Sequence, residues 1–427
     1  MMSRISTARW SERHAALSVC VGSYFAVRLA QLLVSPVVPS LRGAFGASRG
    51  AVGTILTGMW LVYACVQLPS GAAGDRYGQR RVVLAALGGT AVAALALAAA
   101  PSLLAFGAVA LLLGMGAGLY YTPATALLAA RFEDVGRVIG IHRVGSQAAG
   151  LVAPALATLL GARFGWRVVL GSGAVVTTLL LGVLLRRGAS APRAVARTDG
   201  GTAVRPRQVA AVLSRPPVAA AAALATVGEF AALATLSFLP TVLVEAHGLP
   251  LSTAGALFGA YFVVVTALQP VSGWLSDRLG RDAVTGALFA VGAVGYAALA
   301  LGTTRAAALP AVALVGVAMA WGPPVQSRAV DALADAECGV GFGAVRTAYI
   351  LVAALGPVVV GTLADAAGWT AGIGLLAAML AFAAVALVGA RLGGRGRRPT
   401  HGSSSDRYRP SRPSETPWRF SPPSPGR

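Results

Sequence analysis

Apolar positions run along this chain in blocks far longer than a soluble core requires. The stretch 82–121, VVLAALGGTAVAALALAAAPSLLAFGAVALLLGMGAGLYY, contains no charged residue. About 20 apolar residues cross the hydrocarbon core of a bilayer once, so this block must hold two crossings and a turn. Dividing the chain at its Gly, Pro and charged clusters predicts twelve helical spans, at 15–38, 51–74, 82–100, 103–129, 138–161, 167–186, 217–243, 251–276, 283–301, 307–327, 341–364 and 370–390. The period-2 alternation of barrel strands is missing, which leaves an all-α integral membrane fold. The opening MMSRISTARWSERH is short and basic, and the run after it is long enough for a first transmembrane helix rather than a cleavable signal peptide.

Polar residues inside these spans are few and clustered. In span one, Tyr24, Arg28, Gln31 and Ser35 follow a spacing that places them on one helical face. Pro36 and Pro39 follow, and a kink there would suit a moving gate. Trp60, Tyr63 and Gln67 make a mixed face in span two, span four carries Tyr120 and Tyr121 before Thr122 and Pro123, and span ten carries Trp321 and Gln326 around two prolines. The single acidic residue placed deep in a span is Glu229, in span seven. Charged side chains at this depth are costly and are functional by default.

Charge changes the picture by its placement more than its size. The formal net charge is +20, and every basic residue is Arg. With the first span leaving the cytoplasm, 29 arginines fall on the cytoplasmic side, five on the opposite side, and Arg28 within a span. That is the positive-inside distribution. It predicts a multi-pass protein of the cell membrane with both termini cytoplasmic, and explains the basicity without nucleic acid. Residues 186–216 read as a basic cytoplasmic linker and 391–427 as a basic, Pro/Ser-rich disordered tail, touching at most membrane lipid. Cys20, Cys65 and Cys338 show no metal-ligand spacing, and no cofactor is expected.

The linker separates two matching halves. Gly71, Asp75, Arg76 and Gly78 recur 202 residues later as Gly273, Asp277, Arg278 and Gly280. At an offset of 203, Gly140, Arg143, Pro154, Gly165 and Trp166 recur as Gly343, Arg346, Pro357, Gly368 and Trp369. The chain therefore reads as a duplicated six-helix unit, with one bundle at 1–185 and the other at 217–390. Such repeats mark secondary transporters, whose solute sites lie at mid-membrane between the halves.

The stretch Gly71-x-x-x-Asp75-Arg76-x-Gly78-x-Arg80-Arg81, repeated between spans eight and nine, resembles motif A of the major facilitator superfamily. The twelve spans, central linker and Gly-Trp-Arg turn at 165–167 fit the same family. The resemblance implies two pseudo-symmetric bundles, a rocker-switch carrier working as a monomer, and a latch around Asp75 and Asp277 that closes the cytoplasmic gate. The first two spans are most similar to the anion:cation symporter branch, which implies Arg28 as an anion-binding residue. Span four departs from that branch, with Ala110 and Ala117 where an Arg and an acidic residue are usual. Efflux of hydrophobic or cationic compounds by proton antiport is the alternative, because Gly150, Ala153 and Pro154 make an imperfect version of the exporters' span-five motif.

Two readings of the buried charges remain open at this point. Arg28 could bind an anionic solute through its planar fork while Glu229, near the matching position of span seven, carries a coupling proton. Alternatively, the two form a permanent salt bridge. Tyr24, Gln31, Tyr63, Gln67, Tyr120, Tyr121, Trp321 and Gln326 complete the expected solute site. Other classes fit poorly. The four histidines are scattered, no His-Glu-x-x-His exists for a metalloenzyme, and a P-loop is impossible without Lys. A tandem repeat with one cavity is not a channel.

Overall fold

The computed structural model describes residues 2–132, 134–186, 206–302, 304–333 and 338–395. The expected linker is described only from Pro206, where it forms a short helix, and the expected disordered tail lies outside the described residues beyond Arg395. Among the described residues the chain is helical, without strands.

The helices are α1 (Met2–Leu32), α2 (Val34–Phe45), α3 (Arg49–Tyr77), α4 (Gln79–Ala98), α5 (Leu103–Gly118), α6 (Tyr121–Ala129), α7 (Val135–Arg186), α8 (Pro206–Leu213), α9 (Pro216–Glu245), α10 (Leu251–Leu279), α11 (Arg281–Leu301), α12 (Arg305–Ala318), α13 (Gly322–Asp331), α14 (Cys338–Ala353) and α15 (Gly356–Arg395). Among the described residues ten continuous segments are long and apolar enough to cross a membrane. Two of these hold a non-helical glycine, Gly165 (φ 78°, ψ 172°) in α7 and Gly368 (φ 80°, ψ 170°) in α15. Each glycine splits its segment into two spans, which gives the expected twelve.

Local chemistry sets the boundaries. Ser48 and Ser102 cap α3 and α5 by accepting from the backbone N–H of Ala51 and Ala105. The breaks inside spans lie just before prolines. A proline clashes with the carbonyl four residues earlier and supplies no N–H to it. Span one breaks at Leu33, before Pro36; span four at Leu119–Tyr120, before Pro123; and span ten passes through a 3₁₀ turn, Met319–Trp321, before Pro323 and Pro324. Span eleven breaks at Ala354–Leu355, before Pro357.

The repeat is visible in the backbone. All six described glycines with positive φ form pairs: Gly46 (61°) with Gly248 (63°), Gly78 (95°) with Gly280 (91°), and Gly165 with Gly368. Their offsets are 202, 202 and 203 residues, so corresponding turns in the two halves need the same left-handed conformation. The motif glycines also pack alike. A Cβ on Gly71 would meet Thr122 of span four at 3.2 Å, and one on Gly273 would meet Pro323 of span ten at 3.4 Å. Residues Met1–Val388 form one compact unit, and Gly389–Arg427 form a second. The first is apolar outside as well as inside: Leu104, Phe382 and Val385 are largely exposed, a surface suited to lipid chains.

Candidate functional site

The break in span one lies one turn beyond Arg28. The guanidinium is held by its own half: Nε donates to Ser146 Oγ of α7 at 3.2 Å, and Nη1 donates to Gln31 Oε1 at 2.9 Å. Its face rests over the Trp60 ring of α3, 5.4 Å from the centroid. No ion pair to Arg28 is present among the described residues. Glu229 feels the charges of Arg346, Arg28 and Arg143, yet stands beyond ion-pair distance of them all. The permanent Arg28–Glu229 bridge is therefore not formed in this structure.

Aromatic residues build the surrounding wall. Tyr24 stacks on Tyr120 (5.6 Å, 13°) and on His142 (4.7 Å, 15°), and Tyr121 tilts against it at 5.6 Å. Tyr120 is fully buried, with its hydroxyl donating to the Cys20 carbonyl at 2.6 Å and lying 3.2 Å from His142 Nε2. It supports the wall from behind, while Tyr121 stays half-buried at the surface. Tyr63 stands edge-on to Trp60 (5.7 Å, 86°). Gln67 gives its carbonyl to Ser70 Oγ and Thr122 Oγ1, and its side-chain nitrogen has no protein partner.

The other half answers with span ten. Trp321 sits in the 3₁₀ turn, where a Cβ on Gly228 would come within 2.5 Å of its ring, so it lies flat against span seven beside Glu229. It meets Tyr349 edge-on at 6.3 Å. Gln326 is half-buried one turn on and makes no side-chain hydrogen bond among the described residues. Gln147 of span five reaches Gln269 of span eight at 3.5 Å, joining the halves. His142, Ser146, Gln147, Gln269, Tyr349 and Arg346 were not singled out from the sequence for this site. For those on spans five and eleven the signal was the polar spacing, masked by the placement of Arg143 and Arg346 with the loop arginines.

The two ends of the molecule differ. At the end away from the motifs, Arg42 and Arg49 of one half both pair with Glu245 of the other, the latter at 2.9 Å. Asp365 accepts from the backbone N–H groups of Arg49 (3.0 Å) and Gly50 (2.7 Å). Arg49 lies over Trp369, whose indole N–H donates to Glu245 at 3.0 Å. Beneath this lock spans two and eleven touch: Thr57 Oγ1 accepts from Val358 N–H at 3.0 Å, and a Cβ on Gly53 would fall 2.4 Å from the Pro357 carbonyl oxygen. These contacts close that end.

At the motif end, every ion pair among the described residues stays within one half. Asp75 accepts from Gln79 Nε2 at 2.9 Å, Arg80 donates to the Leu184 carbonyl at 2.8 Å, and Arg76 lies over Tyr77. Arg81 is exposed. Asp277 pairs with Arg281, which also reaches Asp331 at 3.2 Å, and Arg278 stacks on Trp274 at 4.0 Å. No group of three metal-ligating side chains occurs among the described residues.

Comparison with known proteins places this geometry. The Major Facilitator Superfamily profile matches residues 20–255 and 229–420. The gallate transporter of Pseudomonas putida is 25% identical over 371 residues, covering 79% of this chain and 82% of that protein. A probable sulfoacetate transporter of Cupriavidus necator is 25% identical over 404 residues, covering 86% and 90%. Among solved structures, a bacterial homologue of the human lysosomal transporter Spinster, inward-facing and unoccupied, superposes with a TM-score of 0.78 at 16% identity, covering 91% of this chain and 99% of that one. A D-xylose-proton symporter gives 0.72 at 17% identity, covering 87% and 96%.

Proposed function

Since the chain belongs to the Major Facilitator Superfamily and is a multi-pass membrane transporter rather than an enzyme, we propose that it carries a small organic anion, coupled to protons, by rocking two six-helix bundles about a central site. The carrying observation is Arg28. It is a guanidinium at mid-span, oriented by Ser146, Gln31 and Trp60, with no ion pair to a carboxylate among the described residues. A cation held in place and left uncompensated suits a carboxylate or sulfonate ligand. The relatives named for gallate and sulfoacetate, both organic anions, support the same reading.

Glu229 supplies the coupling. It shares an electrostatic field with Arg28 and Arg346 without pairing to either. Protonating it makes the cavity more positive and raises affinity for an anion, and by linkage the bound anion raises affinity for the proton. With the arginine-rich motif end facing the cytoplasm, an inward-facing state is supported by the Arg42–Arg49–Glu245–Asp365 lock at the opposite end and by Asp75 and Asp277 keeping their contacts within one half. In the outward state those acids reach across the halves and the outer lock opens. The solute enters or leaves through the cell membrane, with both termini in the cytoplasm.

A thermal-shift screen in detergent tests the site, because a ligand of the native state raises apparent stability by mass action. Gallate, sulfoacetate and related anions should stabilise the wild type, and Arg28→Ala should remove most of that shift. Equal stabilisation of both proteins by lipophilic cations, with none by anions, would replace this reading with efflux of hydrophobic cations.

A further inference from the structure

Arg346 was counted with the loop arginines, yet span eleven carries it into the site. Its guanidinium is half-buried and crosses to the other half, lying 5.1 Å from the ring centroid of Tyr121 in span four. Its Nε–H is buried and finds no hydrogen-bond partner in the protein. No hydrogen bond or ion pair engages the group among the described residues. The titratable neighbours that feel it are phenols, Tyr349 of its own helix, Tyr63 of span two, Tyr121 of span four and Tyr24 of span one. The carboxylate within electrostatic reach, Glu229 of span seven, is not paired with it.

Arg28 is differently placed. Its Nε is already used on Ser146 and its Nη1 on Gln31. A carboxylate binds arginine most strongly through two parallel N–H bonds, and the side-on pair consists of Nε–H with one Nη–H. Arg28 has given away half of that edge to its own protein. Arg346 keeps all of it, and a buried charged donor without a partner is costly unless something meets it.

We propose that Arg346, rather than Arg28, supplies the bidentate fork for the substrate's carboxylate, with Arg28 a second, orienting cation from the opposite half; this rests on the anion-carrier reading above. The fork then belongs to one bundle and the orienting cation to the other. The anion is held between the parts that must rock.

The test compares gallate with its neutral amide, 3,4,5-trihydroxybenzamide, by ligand-dependent thermal stability of the purified full chain and its variants. The wild type should prefer gallate at least about tenfold, the equivalent of 1.4 kcal/mol. Arg346→Ala should lose that preference while keeping its unliganded melting temperature, and Arg346→Lys, a charge without a fork, should recover only part of it. Arg28→Ala should bind both compounds more weakly but still favour the carboxylate. An Arg346→Ala protein that keeps the full preference overturns the assignment, and if that variant does not fold, wild-type discrimination in Arg346→Lys overturns it equally. Failure of the wild type to bind gallate or sulfoacetate at all refutes the anion reading itself, a result distinct from retained binding in the Arg346 variants.

Discussion

In the proposed carrier, Arg28 and Glu229 set what the cavity can hold, and each has a separable consequence. Removing the guanidinium in Arg28→Ala leaves Ser146 and Gln31 as weaker neutral hydrogen-bonding groups, so the protein should insert normally. Anion uptake should fall at least about tenfold, because a charge-assisted hydrogen bond contributes roughly 1.5–3 kcal/mol. Uptake at the wild-type rate in vesicles with matched protein content would remove Arg28 from the site. Glu229→Gln keeps the shape and fixes the neutral state. It should retain exchange of labelled for unlabelled solute while losing accumulation driven by a proton gradient. Accumulation that survives unchanged in that variant would make Glu229 structural. Arg28 and Glu229 stood out in the sequence because charge is so rare inside these spans. Arg346 did not, since its equivalent Arg143 lies near a loop and Arg346 was grouped with it among the loop arginines. Tyr120 and Tyr121 read as a pair, but adjacent helical residues point about 100° apart, and the break between α5 and α6 turns Tyr120 into the bundle.

At the scale of elements, the prolines just after the breaks in spans one, four and ten mark where the spans at the candidate site bend, and the first of these kinks was expected from Pro36 and Pro39. The sequence alone overcounts such sites: Pro69, Pro154, Pro240, Pro270 and Pro310 are accommodated within continuous helices. What separates the two groups is tertiary packing, which no local pattern records. The outer lock was equally hidden, because Arg42, Arg49, Glu245 and Asp365 read singly as span-end charges. Its half-exposed pairs contribute about 0.2–1 kcal/mol each, so Glu245→Gln, which loosens two arginines at once, should shift the population toward the outward-open state several-fold. The readout is alkylation of a cysteine placed beneath the lock, and unchanged accessibility would argue that the pairs are incidental. Gly53→Val is a harsher probe: a side chain there meets the Pro357 carbonyl and prevents closure. It should abolish turnover while leaving binding from outside intact. Asp75→Asn should slow turnover with near-normal binding, as expected of a latch that works only in the other state.

For the whole molecule, duplication explains why the architecture was readable and the site less so. Helical spans follow from apolar length alone, and the turns between them repeat because the same glycine is needed at Gly46 and Gly248, at Gly78 and Gly280, and at Gly165 and Gly368. The site, by contrast, is where the halves have diverged. Arg28 stands in span one, and Glu229 near its counterpart in span seven, and a repeat pattern cannot say what two unlike residues do together. The alternating access proposed here uses such an asymmetry, with one end closed by charges on opposite halves while the motifs at the other keep their contacts within one half. The most direct measurement is uptake of radiolabelled gallate and sulfoacetate into proteoliposomes holding the purified protein, with and without an inward proton gradient. Accumulation of at least one of them above equilibrium is expected, dependent on the gradient and lost in Arg28→Ala. Absence of organic-anion uptake, alongside gradient-driven movement of a lipophilic cation, would contradict it.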